Sequence, residues 1–102
     1  MKVVIDAGIC GFSTAIVATD DGEKVRLEFQ STCPHVMKAQ AELTSVDALT
    51  ETFLKPHETT AYKVLSPHLP HVACPVYCGF FKAIEAAAGL ALPKDAAIRF
   101  EG

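Results

Sequence analysis

The steps Cys33-Pro34 and Cys74-Pro75 each place a thiol directly before a proline that opens a predicted helix. A cysteine at such a step takes the N-cap, where free backbone N–H groups and the positive end of the helix dipole stabilise a thiolate. Proline at the first helical position gives up no helical hydrogen bond. The thiolate is the species that binds metals and attacks electrophiles, so both chemistries are open to these two sites. Cys78 stands four residues beyond Cys74, one turn along the same helix face, and Gly79 beside it leaves room for a close approach.

A hairpin brings in the fourth thiol. Asp21-Gly22 lies between two strand-forming runs and is a dipeptide preferred in two-residue type I′ turns. Centred there, the turn predicts Val25 opposite Ala18, Leu27 opposite Ile16, Phe29 opposite Thr14, Ser31 opposite Phe12 and, by extension, Cys33 opposite Cys10. Directly opposed Cβ atoms lie roughly 4.5–5.5 Å apart, close enough for two sulfurs to share a metal. A bulge at Gly11 would break that opposition by moving Cys10 to the other face.

Cys10, Cys33, Cys74 and Cys78 are thus the candidate ligands of a soft sulfur site suited to zinc or an iron–sulfur cluster. With Cys78 assigned to the core instead, three thiolates leave one position for water, His71, His35 or a substrate. Their spacing, C-x22-C-x40-C-x3-C, matches no zinc-finger or ferredoxin signature and contains no C-x-x-C pair. Against the ligand reading stands the ordinary behaviour of buried free cysteine as a small hydrophobe. His57, His68 and His71 read as solvated loop imidazoles, and Asp6 as a turn or capping acid. Gly8-Ile9-Cys10-Gly11 offers a backbone nest for an anion but follows no dinucleotide or P-loop fingerprint. Ser13, Ser31 and Ser66 lack a nucleophile-elbow motif.

The elements that position these residues are legible in outline. A β-branched first strand is predicted from Lys2 to Ile9, continuing past a kink at Cys10-Gly11 through Thr19. Its partner from Lys24 to Ser31 alternates Val25, Leu27 and Phe29 with Arg26, Glu28 and Gln30, so one face is wet. Pro34 opens an amphipathic helix through Val36, Ala39 and Leu43, ending near Thr44-Ser45. Val46 to Leu54 is ambiguous, since Val46, Leu49 and Phe53 suit a helix while Thr50 and Thr52 permit a third strand, and the strand is favoured. A proline- and histidine-bearing stretch from Lys55 to Ala73 reads as a flap with a short helix around Thr60 to Leu65. Pro75 opens the clearest helix, with Val76, Phe80, Ile84 and Ala87 on one side and Gly89 at its end. Ala96-Ala97-Ile98-Arg99-Phe100 is a predicted closing strand. The expected fold is α+β: a two-layer domain spanning residues 1–102, with a mostly antiparallel sheet of three to four strands, an N-terminal hairpin, a C-terminal strand and helices on one face.

Composition narrows the function classes. The chain has 102 residues, half of them apolar, which suffices for one core without cross-links. A formal charge of −3 with scattered Lys and Arg argues against nucleic acid as a partner. Asp6 interrupts any signal-peptide core and no run reaches membrane-spanning length, so the expectation is a cytoplasmic protein with no membrane partner. In a reducing compartment four cysteines read as thiols, metal ligands or redox groups before structural disulfides.

The segments Ala7-Gly8-Ile9-Cys10-Gly11-Phe12, Ser31-Thr32-Cys33-Pro34 and Cys74-Pro75-Val76, with Leu90-Ala91-Leu92-Pro93, resemble a small uncharacterised family of anaerobic bacteria and archaea, a domain of unknown function. The resemblance spans almost the whole chain. It implies a metal or iron–sulfur role for Cys10, Cys33 and Cys74, which fall in its motifs, while Cys78 lies outside them. The layout is also loosely similar to the small scaffold domains of iron–sulfur assembly, a likeness of fold only. The expectation is an accessory or carrier protein binding a metal ion or cluster, not itself an enzyme. Two alternatives are a thiol-based redox or group-transfer enzyme and a non-catalytic homodimeric interaction domain.

Overall fold

The computed structural model describes residues 1–102 and orders four antiparallel strands as β1 (Lys2–Asp6), β2 (Ser13–Asp20), β3 (Val25–Ser31) and β4 (Ser45–Val46), in that spatial sequence. Four helices accompany them: α1 (Pro34–Gln40), α2 (Ala48–Phe53), α3 (Thr60–Leu65) and α4 (Val76–Ala87), with a 3-10 turn at Pro56–Glu58. α4 packs on β1 and β2, and α1 on β3, which makes the expected two-layer α+β fold. Alternation sorts the sheet: Thr14, Ile16, Ala18, Val25, Leu27 and Phe29 are buried under the helices, whereas Arg26, Glu28 and Gln30 face solvent.

The N-terminal run is two strands rather than one kinked strand. Gly8 and Gly11, at φ of +84° and +76°, turn the chain back so that β1 pairs with β2, Lys2 opposite Val17 and Asp6 opposite Ser13. The Gly11 N–H donates to the Gly8 carbonyl at 2.9 Å, leaving Ile9 and Cys10 at the tip. Asp6 has the turn role anticipated for it, its carboxylate accepting the Gly8 N–H at 2.9 Å.

The second hairpin turns one residue later than expected. Its register sets Ala18 opposite Leu27 and Ile16 opposite Phe29, and Asp21 closes against Lys24 across Gly22-Glu23. The Asp21 carboxylate accepts the N–H groups of Glu23 and Lys24 at 3.0 and 2.8 Å. These bonds hold Asp21 before the turn. Within this turn only Gly22 has a positive φ, +97°, which excludes a type I′ turn, since that needs two successive residues with positive φ. A one-residue move of the turn shifts every cross-strand partner by two, so the buried face is unchanged. Cys33, however, no longer opposes Cys10; the extended register points it at Phe12.

Two further expectations are corrected. The predicted strand over 46–54 is a strand only at Ser45–Val46, because Asp47 caps a helix by accepting the Thr50 N–H at 3.2 Å. The predicted C-terminal strand is absent: residues 90–102 are exposed and carry no regular structure.

α3 lies where its signals put it, whereas α4 starts one residue later than expected: Pro75 is its N-cap and not its first helical residue, so Cys74 stands before the cap. The buried Glu51 carboxylate on α2 accepts the Thr60 and Ala61 N–H groups at 3.0 and 3.3 Å, and Thr59 caps the same helix through the Tyr62 N–H. His68 Nε2 meets Glu42 Oε2, tying the chain after α3 to the chain after α1. α4 buries Val76, Tyr77, Phe80, Ala83 and Ile84 and stops at Gly89, φ +73°. No helix is long and apolar enough to cross a membrane.

Candidate thiol site

Three of the four cysteines line one cavity of about 180 Å³ between the β1–β2 turn, the start of α1 and the chain entering α4. Cys10 comes from the turn tip, Cys33 from the N-cap of α1 and Cys74 from the residue before Pro75. Ala7, Phe12, Val36, Leu69, Pro70 and Val76 supply apolar walls, and His35, His71 and Thr14 the remaining polar groups. Cys78 is exposed on α4 and does not line the cavity. His57 and His68 lie outside it as well.

Cys33 is held from below by a hydroxyl chain. Its N–H donates to Ser31 Oγ at 3.0 Å, and Ser31 Oγ donates to the Ser13 carbonyl at 3.2 Å. Having used its single proton, Ser31 accepts from Thr14 Oγ1, 2.7 Å away. Thr14 and Ser31 are thus positioning residues that motif reasoning passed over. The available signal was a threonine at an inward position of β2, in line with Ile16 and Ala18, where an apolar residue would otherwise serve.

Cys74 departs from the expected thiolate character. Burial pushes its thiol above the ordinary value of 9.0, and the nearby charges of Cys33 and Cys10, when ionised, push it the same way. The backbone N–H of Val76 acts in the opposite direction and is outweighed. Desolvation outweighs the helix terminus here because the sulfur is half-buried among apolar walls. Tyr77 is raised as well, by burial first and then by Cys74.

The backbone nest expected at Gly8-Ile9-Cys10-Gly11 is occupied internally, since its glycine N–H groups bond to Asp6 and Gly8. The room beside Gly79 is filled by Ile5. All four cysteines are free thiols. No three His, Cys, Asp or Glu side chains converge to enclose a metal ion in this conformation. The four cysteines expected from sequence are therefore resolved into three that share a cavity wall and one that stands apart.

A small α+β domain that gathers thiols from three chain segments at one end of its sheet is the class these features define. The chain belongs to a family of unknown function, DUF6951, whose family model matches residues 1–100. Searches of curated proteins and of solved structures return no match.

Proposed function

We propose that this domain binds a thiophilic metal ion or a small iron–sulfur cluster through Cys10, Cys33 and Cys74, in an accessory or carrier role. The observation that carries the reading is that three thiols, 23 and 41 residues apart in sequence, line the same small apolar-walled cavity. Random burial of free cysteines gives no reason for that convergence. A like-charged set of sulfurs resists ionising together, and a cation among them reverses the sign of that interaction. Thiolate sulfur in a low-dielectric pocket selects soft ions such as zinc and iron. Cys10 rides on an exposed turn, so the reading includes an inward movement of that turn to complete the ligand set. His35 or His71 is available for a fourth position.

The alternative of thiol redox or group-transfer catalysis has weaker support, because Cys74 is biased toward the neutral thiol and away from the nucleophilic form. The test is purification under exclusion of oxygen, without a histidine tag, followed by assay of metals and acid-labile sulfide. Iron with sulfide, or stoichiometric zinc, lost in a Cys10→Ser, Cys33→Ser, Cys74→Ser protein, is the expected result. Metal-free wild type that also takes up none on reconstitution overturns the reading.

A further inference from the structure

Two parts of the chain are built for β pairing and have no partner within it. β1 ends the sheet on its outer side. The opposite edge is covered, since the Leu27 N–H donates to the Thr44 carbonyl at 2.8 Å, the Phe29 N–H to Gln40 Oε1 at 2.6 Å, and β4 pairs with Val25 and Arg26. The second part is the tail beyond α4, where Ile98 and Phe100 are 91% and 102% exposed on a segment of strand-forming type. We propose that two copies of this chain form a two-fold dimer in which Ala97–Glu101 of each adds as an antiparallel strand to the free edge of β1 of the other.

Register and charge specify the pairing. With Ile98 opposite Ile5 and Phe100 opposite Val3, the apolar residues of both strands fall on the side that faces α4, where Ile5 is already buried. Lys2 then stands opposite Glu101, and Arg99 is diagonal to Asp6 on the outer face. A parallel pairing that keeps both apolar matches sets Asp6 opposite Glu101 instead, two like charges face to face.

Geometry assigns the strand to a second copy. α4 ends with Ala88 and Leu90 beside Asp20, Val25 and Ala48, the end of the sheet at which β1 begins, since Lys2 pairs with Val17. An antiparallel strand must start at the other end, beside Asp6. Reaching it from Leu90 means travelling the length of β1, across the sheet and down from the helix layer, a direct line of roughly 20 Å. Seven residues span at most about 24 Å fully extended, which leaves only about 4 Å of slack for going around α4, less than half the width of a helix. An open sheet edge and an unpaired strand-forming tail are together the ingredients of strand exchange between copies.

The experiment is sedimentation of the full-length protein over a concentration series, with reductant and chelator present so that neither disulfides nor metal can link chains. A concentration-dependent dimer is expected for wild type and a monomer for the full-length Ile98→Asp, Phe100→Asp protein, whose substitutions sit on exposed positions and leave the circular dichroism of the core unchanged. Lys2→Glu or Glu101→Lys alone is expected to weaken the dimer roughly tenfold, and the two together to restore it. A wild type that stays monomeric, whether its tail is free or its tail amides are protected from exchange by pairing in cis, overturns the proposal. So does a dimer that survives the double aspartate protein, or a charge swap that fails to restore binding.

Discussion

Gly79 on α4 lies directly over Ile5 on β1, so close that a Cβ at position 79 would overlap Cδ1 and Cγ1 of the isoleucine. The missing side chain sets how near the helix comes to the sheet, and that approach carries Cys74, one turn earlier, to the cavity wall. Gly79→Ala gains up to about 1 kcal/mol of helix propensity but overpacks a buried contact at about 1–3 kcal/mol. The expected result is a net loss of roughly 1 kcal/mol in urea denaturation, and a smaller loss when Gly79→Ala is made on an Ile5→Ala background, where both overlapping atoms are gone.

Glu51 supplies a second test of the framework. Its buried carboxylate bonds the first N–H groups of α3, a helix of six residues that could not otherwise satisfy them. Glu51→Ala should destabilise the protein by about 1–3 kcal/mol. Glu51→Gln, which keeps one acceptor, should cost less, as measured by the same denaturation.

Alkaline pH should weaken the fold. Cys74 and Tyr77 are both raised in the folded state, so the unfolded chain releases these protons first as pH rises. The stability they contribute is complete below their ordinary values of 9.0 and 10.0 and is lost as pH climbs through the higher folded values. The thermal midpoint should therefore fall between pH 8.5 and roughly 11, with a shallower fall in Cys74→Ser. A flat profile in this window would show that these groups are not held in their neutral forms.

Much of the fold was legible because its signals are local. The alternation in β3, the proline-opened α1 and the closing Gly89 each read correctly from a few neighbouring residues, while α4 begins one residue beyond the expected start, with Pro75 as its cap. What failed depended on competition between side chain and backbone. Asp21 was expected inside the turn, yet its carboxylate bonds hold it one position before the turn and move every pair by two residues. Asp47 turned a predicted strand into α2 in the same way. Ile98 and Phe100 do have strand character, but a strand also needs a ladder within reach, and no local pattern reveals how far the end of α4 lies from the open edge of β1. At the site, the predicted gathering of Cys10 and Cys33 rested on a cross-strand pairing that the register removes. The two thiols come to one cavity by another route, a glycine-flanked turn and a helix cap. Cys78 was placed with Cys74 by helical spacing, which does not apply because Cys74 lies before the cap of α4 and only Cys78 is in the helix.

The most direct measurement of the ligand set is an anaerobic cobalt(II) titration of metal-free protein followed by absorption, with each cysteine replaced in turn by serine. Thiolate-to-cobalt charge transfer that saturates at one ion per chain, is diminished by Cys10→Ser, Cys33→Ser and Cys74→Ser and is untouched by Cys78→Ser is the predicted result. No charge-transfer band, or a band that needs Cys78 and ignores Cys10 and Cys33, would contradict it.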